Sequence, residues 1–186
     1  MSDPLYEVDL QALDQASIKV QELLVKLLAD ERGVHLEDAI AAIAGVAGAA
    51  LLRSTGVPLD GMEPGSPVFA DAVNELGPRY MGFLSAVCGA MGIDPRSGWT
   101  DPIPEANKTL KPLIELTHLV ETPFHGLCEV MSIENDLRAR LALVTAARLI
   151  RVGSGGILDA NVGKALALES LVHGSKMVPH PMGDEG

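Results

Sequence analysis

The stretch AIAAIAGVAGAALL, residues 39–52, decides the fold class of this chain. It lies between Asp38 and Arg53, carries no charge, and is shorter than the roughly 20 apolar residues that span a bilayer. Small residues recur in it at every fourth position, so a helix formed by this stretch has one face with almost no side chains. Another backbone can approach such a face closely, and this contact offsets the roughly 1 kcal/mol that each glycine costs a helix. The stretch therefore predicts a buried helix, over residues 35–53, that packs closely against a neighbour.

The composition of the whole chain extends this prediction to an all-α fold. The 186 residues are 47% hydrophobic but only 3% aromatic, so most of the apolar content is Ala, Leu, Val, Ile and Met. These residues suit close helix packing and lack the β-branched and aromatic alternation that strands favour. The predicted architecture is a single domain over residues 1–172, an irregular bundle of about six or seven helices with close Ala/Gly contacts. A flexible C-terminal tail over residues 173–186 is predicted to follow it.

Glycines and prolines punctuate the apolar periodicity and predict the ends of the helices. The first helix is predicted over residues 10–29 and the last over residues 157–172. Pro78 and Pro123 are expected to interrupt the helices around them, because proline removes a backbone donor and clashes with the preceding turn. Ser132 is predicted to cap the helix that follows it.

The net charge excludes some classes of partner. The chain has 14 Lys and Arg residues against 25 Asp and Glu residues, a formal charge of −11, and no basic cluster. Nucleic acids and anionic membranes are bound through clustered cations, so neither partner is expected. Residues 1–7 lack the basic start and apolar run of a signal peptide, and Cys88 and Cys128 are the only cysteines. These features favour the cytoplasm.

One face of the predicted helical segment around Pro123 carries several side chains that could bind a metal ion. On a helical wheel these fall within one arc, and they are His118, Glu121, His125, Cys128 and Glu129. Imidazoles and carboxylates suit Zn, Fe or Mn, and a thiolate favours Zn. The other interpretation is that this face is the solvated side of a helix that Pro123 bends or splits. No cofactor is predicted, and a bound Zn, Fe or Mn ion is the alternative.

Two features favour an interaction module over an enzyme. A mean hydropathy of +0.23 without a membrane segment implies apolar surface that self-association would bury, and the small-residue face of residues 39–52 suits a partner helix. Trp99, the only tryptophan, lies among prolines in the long loop 92–107, where an anchored aromatic side chain loses little entropy on binding.

The sequence therefore predicts a cytoplasmic interaction or regulatory module without catalytic chemistry. It is expected to be a homo-oligomer, most simply a homodimer, and Trp99 is the predicted contact with a partner protein. The alternative is a metal-binding protein or metal-dependent enzyme that uses the face within residues 115–129.

Overall fold

The computed structural model describes residues 8–182 of the chain. This part of the protein consists of α-helices that pack against one another, with no β-strand and one turn of 3-10 helix at Glu105–Asn107. The predicted all-α bundle is confirmed. The helices are α1 (Leu10–Leu28), α2 (Leu36–Ser54), α3 (Asp71–Ala90), α4 (Leu113–Val130), α5 (Asn135–Gly153) and α6 (Ala160–Lys176). Among the described residues, no helix combines the length and the hydropathy needed to cross a lipid bilayer.

α2 is the central helix of the bundle. All its residues from 37 to 49 are buried, and it packs mainly against α6 and also against α5 and α4. α2 and α6 cross backbone to backbone near Gly48 and Gly174. A Cβ on Gly48 would collide with the carbonyl oxygen of Leu171 and lie 2.6 Å from the amide nitrogen of Ser175. The predicted close Ala/Gly packing is confirmed, because no side chain fits at this crossing.

The same crossing corrects the expected use of the small-residue face. The sequence suggested that this face of α2 contacts a second copy of the chain. In the structure α6 covers Gly48, and α4 covers Gly45, where the missing side chain leaves room for Thr117. Helices of the same chain fill this face. Packing within one chain avoids the translational and rotational entropy that two molecules lose when they associate. Homo-oligomerisation stays a prediction, now supported by the mean hydropathy alone.

Pro78 and Pro123 do not interrupt their helices. α3 runs through Pro78 and α4 runs through Pro123, so each helix replaces two shorter predicted ones. A proline inside a helix costs about 3 kcal/mol. Packing on both sides of the proline offsets this cost, since α4 buries Val120 before Pro123 and Phe124 after it. The predicted breaks are wrong because they follow from the local backbone alone.

Ser132 ends α4 and does not cap α5. Its φ of 56° lies in the left-handed region. Its N–H donates to the carbonyl of Glu129, and the N–H of Ile133 donates to the carbonyl of Cys128, which satisfies the last carbonyls of α4. α5 begins only at Asn135. The predicted N-cap is wrong because the left-handed turn at Ser132 redirects the chain before the next helix can start.

The predicted C-terminal tail is in part built into the fold. α6 continues to Lys176, beyond its predicted end at residue 172. Val178 is buried, and its backbone exchanges hydrogen bonds with Gly65 and Ser66. This contact has no helical period, so the apolar pattern could not reveal it. Residues 183–186 of the predicted tail lie outside the described residues.

Candidate functional site

α4 carries the five predicted metal ligands, and the structure separates them. Glu121 and Cys128 are buried in the core face of the helix. His118 and Glu129 are exposed, and His125 is half-buried between these two surfaces. The arc drawn on the helical wheel therefore combines side chains with different surroundings.

Glu121 is neutralised by an arginine from the end of α2. The Nε of Arg53 donates to Oε1 of Glu121 at 2.9 Å, and its Nη2 donates to the backbone carbonyl of His180 at 2.9 Å. The Glu121 side chain is only 3% exposed. Burial raises the pKa of Glu121, and the hydrogen bond and charge of Arg53 oppose that rise. The carboxylate thus joins α4 to α2, and Arg53 joins both to residues 177–182, which we call the C-terminal segment.

His125 is held in a similar way by Arg138 of α5. The Nη1 of Arg138 lies 3.0 Å from Nδ1 of His125, and its Nη2 lies 3.6 Å from Oε1 of Glu129. Because a guanidinium can only donate, Nδ1 accepts this bond and the ring hydrogen is on Nε2. Among the described residues this buried Nε2 has no hydrogen-bond partner. Burial and then the Arg138 charge lower the pKa of His125 to about 4, so the ring is neutral at pH 7.

His118 contacts the C-terminal segment. Its ring centroid lies 4.0 Å from that of His180, and the two ring planes are inclined by 35°. The backbone carbonyl of His180 is the one that accepts from Arg53. The C-terminal segment therefore packs against α4 through a ring contact and against α2 through a hydrogen bond.

These contacts disagree with the predicted metal site. In the part of the chain that the structure describes, no three His, Cys, Asp or Glu side chains are grouped so that they could hold a metal ion. Arg53 engages Oε1 of Glu121 and Arg138 engages Nδ1 of His125, and the positive charge of these arginines disfavours a cation at the same place. Burial raises the pKa of Cys128 to about 11, so it is a thiol at neutral pH. The predicted Zn, Fe or Mn ligands do not form one site.

The two arginines line a cavity, which we call the arginine pocket. It has a volume of about 420 Å³ and lies between the end of α2, the second half of α4, the start of α5 and the C-terminal segment. Its lining includes apolar, neutral polar and cationic side chains, among them Ala50, Arg53, His125, Asn135, Arg138 and Met182. His125 of α4 is thus part of the wall of a ligand-sized cavity.

The loop that carries Trp99 is fixed at its first end by α6. Lys164 is buried, and its Nζ donates to the carbonyl of Pro95 at 2.8 Å. The hydroxyl of Ser97 donates to the carbonyl of Asn161 at 2.6 Å. A buried amine requires a hydrogen-bond partner, so Lys164 holds this part of the loop against the helix.

The second end of the loop is fixed by α2. The side-chain amide of Asn107 donates to Oε1 of Glu37 at 2.8 Å, and the backbone N–H of Leu110 donates to Oδ1 of Asp38 at 2.7 Å. Both carboxylates belong to residues that are less than a tenth exposed. Buried carboxylates that accept hydrogen bonds from a loop restrict its movement, because breaking the bonds would leave the charges unsatisfied.

Trp99 lies beside a groove between this loop and α6, which we call the tryptophan groove. Trp99 is 45% exposed, and the groove has a volume of about 530 Å³. Its apolar lining includes Ala41, Ile103, Leu113 and Leu166. Its charged or titratable lining consists of Asp101, Lys108, Glu169 and His173. An exposed aromatic side chain beside apolar and mixed polar surface has the anatomy of a protein interface.

The periodicity of the sequence does not single out the residues that fix the loop and line the pocket. A usable signal was present, because Lys164 interrupts the apolar run of residues 162–168 and Arg53 directly follows residues 39–52. A charge that falls within an apolar run of a helix is buried with a partner, since burial without one is costly. The sequence alone does not say where the partner is, because Arg53 and Glu121 are 68 positions apart.

Searches against protein-family models, curated proteins and solved structures found no match to this chain.

Proposed function

We propose that this protein is a helical interaction module that binds a peptide segment of a partner protein in the tryptophan groove. The observation that carries the proposal is an exposed Trp99 on a loop whose two ends are held by buried side chains. Tryptophan is enriched among the residues that dominate binding energy at protein interfaces. The role of Trp99 expected from the sequence is thus kept as part of this proposal.

The anchored loop favours binding because it reduces the entropy lost on association. Ordering a flexible side chain at an interface costs about 0.5–1.5 kcal/mol, and ordering a loop costs more. Lys164, Glu37 and Asp38 already hold the loop in the free protein. A partner would therefore meet a surface that is formed before binding.

The lining of the groove favours a peptide over a highly charged ligand. Asp101 and Glu169 supply two carboxylates, and Lys108 supplies one ammonium that is engaged with Glu105. The lining thus carries only a small excess of negative charge, so apolar contact with Trp99 would supply the affinity and the polar groups would set the orientation. We place this interaction in the cytoplasm, where unpaired thiols such as those of Cys88 and Cys128 are common.

The proposal is tested by selecting binders from a phage-displayed library of random peptides on the full chain. Selected peptides should shift the emission of the single tryptophan, because Trp99 loses water contact when it is covered. Trp99→Ala should weaken their affinity by about tenfold or more, which is the loss of a strong interface contact.

Phe69→Ala is the matched control, since Phe69 is an aromatic side chain that is 93% exposed and does not line the groove. It should leave peptide affinity unchanged. Circular dichroism should show the same helix content in both variants. Peptides that bind the Trp99→Ala variant as tightly as the wild type would contradict the proposal, and so would a failure to select any peptide.

A further inference from the structure

We propose that the arginine pocket is a second binding site, separate from the tryptophan groove, and that it takes a small carboxylate with an apolar body. The site lies where α2, α4 and α5 meet the C-terminal segment. Its distinguishing feature is a pair of guanidinium groups that line one cavity in a chain of net charge −11.

Arg53 has hydrogen-bond donors left for a ligand. A guanidinium carries five N–H donors. The Nε of Arg53 is used by Glu121 and its Nη2 by the carbonyl of His180, while Nη1 has no partner among the described residues. The N–H donors of Nη1 are therefore available to a ligand. A charge-assisted hydrogen bond from a guanidinium to a carboxylate is about twice as strong as one between neutral groups.

Arg138 and the start of α5 add positive potential. The Nη1 of Arg138 is engaged with His125, so this arginine contributes charge more than free donors. Asn135 is the first residue of α5, and no cap side chain bonds to this end of the helix. The N-terminal end of a helix favours an anion. The one carboxylate in the lining, Asp136, is paired with Arg140 at 3.2 Å, and Glu121 and Glu129 lie against Arg53 and Arg138. Free donors on Arg53 and at the helix end, more than net charge, would therefore hold an anion here.

The remaining walls select the body of the ligand. Ala50 and Met182 present methyl and thioether groups, and His125 presents a half-buried ring. Inorganic phosphate would satisfy the arginine but leave this apolar surface wet, whereas an alkyl or aromatic body would cover it. A volume of about 420 Å³ is within the range of small-molecule sites. Charge and shape together indicate a monocarboxylate with an apolar chain or ring.

The experiment titrates the full chain separately with hexanoate, 1-hexanol and inorganic phosphate. Binding is measured by calorimetry and by the shifts of amide NMR signals. Hexanoate should bind and shift the amide signals of Asn135 and Asp136. Hexanol and phosphate should each bind about tenfold more weakly or worse, since each offers only half of the recognition.

Three variants locate the site. Arg53→Gln removes the free guanidinium and should weaken hexanoate binding at least tenfold. Ala50→Leu fills the cavity without changing any charge and should weaken hexanoate binding to the same extent. Because it retains Arg53, it tests the site independently of any effect that Arg53→Gln has on the fold. Arg151→Gln removes an exposed arginine at the far end of α5 and should leave binding unchanged.

Several results would overturn the inference. Equal binding of hexanoate and hexanol would remove the role of Arg53, and equal binding of phosphate would remove the role of the apolar walls. No saturable hexanoate binding at millimolar concentrations, or unchanged binding in Ala50→Leu, would show that the cavity is not the site. Trp99→Ala should not alter hexanoate affinity, so this test is independent of the peptide groove.

Discussion

The middle of α2 is buried and its C-terminal end is partly exposed, and the two regions are stabilised in different ways. In the middle, Gly45 and Gly48 let α4 and α6 approach the bare backbone. At the end, Arg53 forms an ion pair with Glu121 and a hydrogen bond with His180. A contact made by shape is damaged when atoms are added, and a contact made by charge is damaged when one partner is removed.

The largest effect is expected when one carbon atom is added to the middle of α2. In Gly48→Ala the new Cβ would collide with the carbonyl oxygen of Leu171 and lie 2.6 Å from the amide nitrogen of Ser175. Both are backbone atoms of α6, so the helices must move apart. We expect the free energy of unfolding to fall by about 3 kcal/mol in urea denaturation, because forced overpacking costs this much in a tight core.

Gly126→Ala in α4 is the control for this substitution. Outside its own helix backbone, no heavy atom lies within 4 Å of the position that a Cβ on Gly126 would take. The alanine should raise the free energy of unfolding by about 1 kcal/mol, the difference in helix propensity. If both variants changed stability in the same direction, the close crossing at Gly48 would not be the reason for the glycine.

The two ends of this comparison also differ in how far the sequence predicts them. Within residues 39–52, Ala and Gly recur with a helical period, so the buried helix and its close packing could be predicted from local spacing. The Arg53–Glu121 pair could not, because its members are 68 positions apart and no periodic pattern connects them. Local pattern indicates which face is buried but does not identify what covers it.

The same distinction explains the errors at α4. The helical wheel placed Glu121 and His125 on one arc, but Arg53 and Arg138 from other helices turned these side chains into ion-pair and hydrogen-bond partners. The break predicted at Pro123 failed for a related reason, since packing on both sides of the proline is a tertiary effect. Trp99 was easier to single out because a lone aromatic residue in a proline-rich loop is a local feature.

Removal of one charge from the Arg53–Glu121 ion pair at the end of α2 should lower the free energy of unfolding. Glu121→Ala leaves the Arg53 guanidinium, which is 25% exposed, without its carboxylate. Loss of one member of a buried ion pair costs about 3–5 kcal/mol, and partial access to water reduces the expected loss here to about 2.5 kcal/mol. The measurement is urea denaturation at pH 7.

The exposed pair of Lys19 and Glu22 in α1 provides the control. These side chains are 60% and 53% exposed and lie 3.1 Å apart. Glu22→Ala should change the free energy of unfolding by less than about 0.5 kcal/mol, as is usual for surface pairs. Equal losses in the two variants would mean that burial does not strengthen the Arg53–Glu121 contact.

The free energy of unfolding should also depend on pH through His125, which lines the arginine pocket together with Arg53 at the end of α2. Its pKa is lowered from 6.5 to about 4 in the folded protein, so the unfolded chain takes up a proton first as the pH falls. Stability is then lost between about pH 6.5 and 4. A fully shielded group would contribute about 3 kcal/mol, and solvent screening reduces the expected loss to about 2 kcal/mol.

His125→Asn isolates this contribution, because the amide oxygen can accept from Arg138 and does not titrate. Its stability should depend less on pH than that of the wild type, measured by urea denaturation at pH 7 and 4.5. Glu121 acts in the opposite direction, since its raised pKa makes acidification favour the folded state, and it is present in both proteins. Parallel pH profiles would rule out His125 as the titrating group.

The smallest expected effect returns to the middle of α2 and tests whether shape alone holds it. Thr117 packs against Gly45, and its buried Oγ1 has no hydrogen-bond partner among the described residues. Thr117→Val keeps the branched shape and removes a desolvated hydroxyl, so the free energy of unfolding should rise by about 1 kcal/mol. A fall in stability would show that the hydroxyl has a bonding partner, and that polar contacts contribute to the middle of α2 as they do to its end.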